Sequence, residues 1–327
     1  MIKLFSPKKR LPVPGIVWGI IFLIIFFSII RPAKFPTLYN ALLILRHSSV
    51  LIVASIGMTM LILVSQIDLS VGSVMSLAGV ITAVCAESGM PLGVSLALSI
   101  LVGMLIGVVN GTMVAVFRFD YWISTFATMG IAAGLALVVA NGQTITVRSD
   151  FFNWLGNGKV LGIDFLILLV AVLVAGMLFV LGKTRFGYNI YSIGGSAETA
   201  RLSGIDVTKN RMFVFIGSGF FSAVAGLMLA AMGSSASPIA GADYSFDAIA
   251  AVIIGGTSFD GGKGGLAGTV LGAVLLRILT LGLNLMGIPP TWQKAIIGVV
   301  IVAIIVNDVL GERRRKTNES RRVYSNV

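Results

Sequence analysis

Acidic side chains are scarce in this sequence. Only 13 of 327 residues are Asp or Glu, and charged residues of both signs make up 11%, against about 25% in soluble domains. A chain so poor in charge cannot cover a water-facing surface, which excludes an ordinary soluble domain. Cysteine is nearly absent. Cys85 stands alone, so no intrachain disulfide can form. His47 is the sole histidine. One His and one Cys far apart in sequence make no metal site, and no nucleophile with a nearby base stands out. A membrane-embedded enzyme therefore has no residue set to support it.

Long apolar runs, in contrast, are abundant. Hydrophobic residues make up 57% of the chain, and its mean hydropathy is +0.99. A helix needs roughly 20 apolar residues to cross about 30 Å of hydrocarbon. Such runs recur along the chain, without the period-two alternation of a barrel strand. The expected fold class is an all-α, polytopic helical membrane protein of about ten transmembrane helices. The segments fall near 14–30, 43–65, 70–87, 92–117, 122–140, 162–182, 212–232, 244–259, 265–284 and 291–309. The eighth is short and ends in glycines, as a broken or re-entrant helix would.

The net charge of +11 does not point to nucleic acid, because the basic residues flank the apolar runs. With the N-terminus in the cytoplasm, 17 basic residues fall on inner segments, among them Lys8, Arg118, Lys183, Arg201, Lys263 and the tail cluster around Arg313. Five (Arg31, Lys34, Arg46, Arg148 and Lys159) fall outside. This positive-inside bias puts both termini in the cytoplasm. The whole of 1–327 then reads as one transmembrane domain, with cytoplasmic tails at 1–13 and 310–327. Arg31-Pro32-Ala33-Lys34 is no small-x-small cleavage site, so the first apolar run reads as an uncleaved helix.

Glycine is plentiful, at 39 residues. Gly103-x3-Gly107-x3-Gly111 and Gly264-x3-Gly268-x3-Gly272 are stacked small-xxx-small patterns, which let helix backbones approach closely. They read either as bundle packing or as a sliding seam. A faint internal similarity pairs Asp68–Gly79 with Asp260–Gly268, each placing an acidic residue and glycines before a small-residue helix.

The longest inner loop, 183–211, is polar in an apolar chain. Within it Ser196 is placed to cap a short helix from Ala197 to Ser203, with Glu198 near its positive end and Gly204 suited to a left-handed stop. Such a helix offers Glu198, Thr199, Arg201 and Leu202 to a partner; the plain alternative is a solvated loop. For a solute pathway the candidates are Trp122, Thr125, Phe126 and Thr128 on the fifth segment, with Asn141 and Gln143 at its outer end. Aromatic faces suit sugar C–H surfaces and amides suit hydroxyls, though such residues near span ends also serve packing. The spacing of 122 and 126 places them on one face with 125.

Asp68 is placed to cap the helix after Ser70, or to pair with a basic group at an inner gate. Asp260 and Lys263 carry the same two readings. Arg277 lies well inside the ninth segment and needs a carboxylate or carbonyl partner. No Walker A is present: around Gly262-Lys263 the chain has Thr257 and Gly264 where a phosphate loop needs Gly and Ser or Thr. The energy source is therefore another subunit or an ion gradient. The second option describes an ion-coupled secondary transporter of a small polar solute. The placement of the carboxylates counts against it: nearly all fall at segment ends or in loops, and only Asp247, a few residues into the short eighth segment, reaches deeper.

Thr184-Arg185-Phe186-Gly187-Tyr188, followed by Gly194 through Ile205, resembles the cytoplasmic coupling loop of ABC-type sugar importer permeases of the ribose, galactose and autoinducer-2 group. Ile67 through Ser73, Thr125 through Gly130 with Gly134 through Gly142, and Gly255 through Thr269 resemble that group's other signatures, in the same order. The resemblance runs from about residue 40 to 309. It implies a multi-pass subunit of a bacterial inner membrane that carries a sugar or sugar-like solute from periplasm to cytoplasm. It further implies a second permease subunit (identical or a sister), ABC ATPase subunits beneath, and a periplasmic solute-binding protein. ATP and Mg would be bound by the ATPase, with no cofactor or metal in this chain. The coupling helix would span Ser196, Ala197, Glu198, Thr199, Ala200, Arg201, Leu202, Ser203 and Gly204. Two departures, Gln66 for the usual glycine before Ile67-Asp68 and Arg277 for an apolar residue, leave the solute open.

Overall fold

The computed structural model describes residues 13–299 and residue 302. Of the two tails, 1–12 and 310–327 lie outside the described residues, as does most of 300–309 in the tenth expected segment. The remaining expected segments all appear as helices. They are α1 (Val13–Ile30), α2 (Leu38–Leu63), α3 (Val71–Glu87), α4 (Leu92–Gly111) and α5 (Tyr121–Val139). Later in the chain come α7 (Phe165–Lys183), α10 (Val207–Gly233), α11 (Tyr244–Ile254) and α12 (Leu266–Leu285). Residues 290–299 are helical too. Six of these elements are long and apolar enough to cross a membrane: α2, α5, α7, α10, α12 and the stretch Leu92–Val116. The last joins α4 to a single π-helical turn, Thr112–Val116.

Apolar helices gain little from hiding apolar faces when their surroundings are apolar, so other forces decide which of them sit at the centre. The apolar windows of α2, α10 and α12 are 67%, 61% and 61% buried, against 22–28% for α4, α5 and α7. The first three form the middle, and the others present apolar faces outward. Close packing is made by glycine. A Cβ at Gly103 would stand 2.6 Å from the Gly219 carbonyl oxygen, and one at Gly107 would stand 2.5 Å from that of Phe215. The pattern Gly103-x3-Gly107-x3-Gly111 is thus the groove of α4 into which α10 presses. The second pattern divides. Gly268 and Gly272 lie against Gly255 and Ala251 at the α11–α12 contact. Gly264 precedes α12 and has φ +113°, so it shapes a turn and is not part of the helical stripe.

Helix α11 stops at Ile254, short of the expected residue 259. Eleven residues rise only about 16 Å, less than a bilayer core. The chain continues as a glycine turn with positive φ at Gly256, Gly261, Gly262, Gly264 and Gly265. That turn docks on the end of α2: Gly262 N–H donates to the Leu63 carbonyl at 3.0 Å, and Ser65 Oγ donates to that of Asp260 at 2.6 Å. Of the two faintly similar stretches, Asp68 is buried while Asp260 is exposed, so their carboxylates do not play equivalent parts.

Small elements cap the two ends of α10. At its C-terminal end β4 (Ser235–Ala236) pairs antiparallel with β1 (Ile145–Thr146), beside α6 (Asp150–Asn157) and the hairpin of β2 (Lys159–Val160) and β3 (Ile163–Asp164). At its N-terminal end lie α8 (Arg185–Gly195) and α9 (Ala197–Leu202). Helix α8 is an addition to the sequence reading, in which 183–195 was loop.

Gly107→Ala should lower the melting temperature of the purified protein in detergent, with an overpacking cost of about 1–3 kcal/mol. Gly134→Ala, whose added methyl would meet nothing within 4 Å, should leave it unchanged.

Candidate functional site

The polar segment after α7 folds into two short helices with defined caps. The Thr184 hydroxyl accepts from Gly187 N–H at 3.3 Å and opens α8. The Ser196 hydroxyl accepts from Thr199 N–H at 3.2 Å and opens α9, as its position in the sequence predicts. Gly204 takes φ +82°, which ends α9 in the left-handed conformation. Asp206 then caps α10 by accepting from Lys209 N–H at 2.9 Å.

Anchoring and exposure are sharply divided. In α8, Ile190 and Ile193 are buried, and Tyr191 Oη donates to the Gly264 carbonyl at 3.1 Å. Partial burial pushes the Tyr191 hydroxyl above the usual tyrosine range. Gly194 sits against the Leu63 carbonyl and Gly262, where a side chain would have no room. In α9 only Ala200 is buried, and Ala197 is half-buried. Ser196, Glu198, Thr199, Arg201, Leu202, Ser203 and Gly204 are exposed, Leu202 by 84%. An exposed leucine beside a free acid and a free base is a surface that a protein partner can grip. Its base, α8, is held through Gly194 and Tyr191 to the α2 end and the glycine turn before α12.

The interior holds a polar hub. Asp68 is fully buried, and its Oδ1 accepts from Ser70 N–H at 2.8 Å and Ser70 Oγ at 2.5 Å. Its Oδ2 accepts from Ser218 Oγ at 3.1 Å. Asn110 Nδ2 donates to Ser70 Oγ at 3.0 Å, and Thr128 Oγ1 donates to Asn110 Oδ1 at 2.7 Å. These bonds tie the turn before α3 to α4, α5 and α10. Asp68 thus orders the start of α3, and neither ion pair among the described residues involves it. Sequence reasoning missed Asn110 and Ser218. Their signal was an isolated polar residue within an apolar helix.

The pathway candidates on α5 separate. Trp122 and Phe126 share one exposed face, 42% and 61% exposed, whereas Thr125 is fully buried on another. The expectation that 125 joins their face fails because α5 turns its small, hydroxylated side against the bundle and its aromatic side outward. Thr125 Oγ1 bonds its own helix at the Tyr121 carbonyl, 2.7 Å away. Asn141 and Gln143 are exposed at the far end of α5, Asn141 with φ +48°. Asp260 and Lys263 are exposed in the glycine turn and do not pair with each other.

Arg277 has the carboxylate that its depth requires. Its guanidinium lies 3.4 Å from Asp247 Oδ2 and stands 5.3 Å from the centre of the Tyr244 ring. Asp247, the carboxylate expected deepest in a segment, is therefore occupied by a cation of the chain itself. Among the described residues no group of three or more His, Cys, Asp or Glu could hold a metal.

Comparison with known proteins follows the same lines. The family described as the branched-chain amino acid transport system / permease component matches residues 40–305. The ribose import permease protein RbsC of Haemophilus influenzae is 40% identical, covering 90% of this chain and 93% of its own length. Its counterpart in Escherichia coli is 37% identical over 89% of this chain and 91% of its own. The xylose transport system permease protein XylH of Escherichia coli is 30% identical over 95% of each. No solved structure matches.

Arg277→Leu should destabilise the fold by up to about 3 kcal/mol, because it strands Asp247. Adding Asp247→Leu should recover much of that loss in a thermal melt, the non-additivity expected of a coupled pair.

Proposed function

This chain belongs to the branched-chain amino acid transport system / permease component family, and from that premise we propose a division of labour for an ATP-driven importer of sugars. The chain is a membrane permease subunit of an ABC importer. It is a transport subunit and not the ATPase. A partner ATPase binds ATP and Mg and hydrolyses the nucleotide; the absence of a phosphate loop from the sequence supports this. A solute-binding protein delivers the solute on the opposite side, and a second permease, identical or a sister, completes the pathway. The solute is a sugar or sugar-like molecule. A pentose is the first to try, since these relatives are named for ribose and xylose.

The chain crosses the inner membrane ten times, through α1–α5, α7, α10, α11 with its glycine turn, α12 and the helix that begins at 290. Both termini and α9 then face the cytoplasm, and the β1–β4 pair faces the periplasm. The excess of basic residues at the α9 end supports that orientation. The single observation that carries the mechanism is α9 itself: capped, held by buried Ala200 and half-buried Ala197, and otherwise exposed. It rides in a cleft of the ATPase. Closure of the ATPases moves α9, and α8 passes the motion to α2 and to the turn before α12. Substrate contacts in the pathway come from the α5 region, where Trp122, Phe126, Asn141 and Gln143 are exposed and could meet solute or the second permease. Ion coupling is disfavoured because Asp247, the carboxylate placed deepest in an expected segment, is paired with Arg277.

Glu198→Arg combined with Arg201→Glu should cut ATP-driven pentose uptake into vesicles carrying the whole complex at least tenfold. The amount of permease in the membrane should stay the same, since both side chains are exposed. Uptake that survives this double reversal would sink the docking assignment.

A further inference from the structure

Three arginines line one cavity at the α9 end of the bundle, with a single carboxylate beside them. A cavity of about 280 Å³ opens there between the π-helical turn, the start of α5 and the start of α10. Arg118, Arg201 and Arg211 line it, with Asp120, Gln66 and Tyr121. Both ion pairs among the described residues lie elsewhere. Asp120 already spends one oxygen on capping α5, accepting from Trp122 N–H at 2.8 Å.

Two buried polar groups at this cavity lack partners. Gln66 is 7% exposed and its side-chain oxygen accepts nothing. Arg211 Nε is buried and donates to nothing. A buried polar group left without a partner is costly, more so when charged, so two in one cavity point to something that fills it. The carboxamide of Gln66 can be turned to present its N–H groups, since oxygen and nitrogen exchange places by a half-turn. The first turn of α10 adds its positive dipole end at Val207 and Thr208, which also line the cavity. Arg118 is held with φ +60°, an uncommon conformation for a side chain of its size.

We propose that this cavity is a binding site for a phosphate group. Guanidinium forks match tetrahedral phosphate oxygens in geometry as well as charge, and three against one carboxylate leave room for a dianion. A neutral sugar would relieve none of the repulsion among the arginines. The phosphate has two sources: the headgroup of an anionic phospholipid, or a soluble phosphate or phosphomonoester. Phe117 and Phe119 flank Arg118 and are 62% and 59% exposed, which suits a position at a membrane border where either could reach it. Because Arg201 belongs to α9, an occupied site would tie that helix to α5 and α10. The binding claim itself stands independently of the ATPase docking described above.

The test uses the full-length permease. In phosphatidylcholine nanodiscs, its melting temperature is followed with added sodium phosphate and with sodium chloride at matched ionic strength. In parallel, native mass spectrometry counts phosphatidylglycerol retained from mixed nanodiscs. Either stabilisation by phosphate or retention of phosphatidylglycerol, weakened at least tenfold in Arg118→Gln, is the expected result and identifies the source. Arg211→Gln should act the same way; Arg118→Gln, exposed and remote from the core, keeps the test valid should that variant misfold. If neither probe is distinguished from its control, or if Arg118→Gln binds as the wild type does, the site is refuted, whatever charge reversal on α9 does to transport.

Discussion

Backbone pressed against backbone around α10 is the contact on which this molecule depends. A helix bundle with an apolar exterior has no hydrophobic gradient to pull its helices together. Dispersion between closely fitted surfaces takes over, and it is strong only at short range. Glycines at 103, 107 and 219 bring α4 and α10 within reach, and those at 226, 255, 268 and 272 do the same for neighbouring pairs. The central helices are thereby chosen by the smallness of their side chains as much as by their apolarity.

Polar groups do the rest, and in two distinct ways. The Asp68 hub uses hydrogen bonds from Ser70 and Ser218, with Asn110 and Thr128 behind them, to fix where α3, α4, α5 and α10 converge. The Arg277–Asp247 pair instead joins α11 and α12 by charge. Such groups have few alternative partners in an apolar interior, so each one specifies an arrangement more sharply than a leucine contact could. The glycine turn between α11 and α12 completes this framework by bonding to the end of α2.

That framework also seats the α8–α9 segment. Helix α9 touches the bundle lightly and α8 touches it firmly, so the pair forms a handle on a rigid shaft. The shaft reaches α2, one of the three most buried helices, and the turn before α12. The segment is thus fixed at the C-terminal end of α2 and just before the start of α12.

The course of the long apolar helices was legible from hydropathy, because each apolar run must satisfy its own backbone hydrogen bonds. The capped α9 was legible as well, since Ser196 and Gly204 act on residues within four positions of themselves. Partnership was not legible. Nothing local says that Asp68 meets Ser218, that Thr125 faces inward while Trp122 and Phe126 face out, or that Gly264 leaves its helical stripe to shape a turn. Nor does composition tell which arginine pairs with an acid, as Arg277 does, and which three line one cavity outside any ion pair. Short-range sterics and solvation act along the chain and can be read there. Contacts between distant residues depend on how the helices pack side by side, and only the tertiary structure decides that.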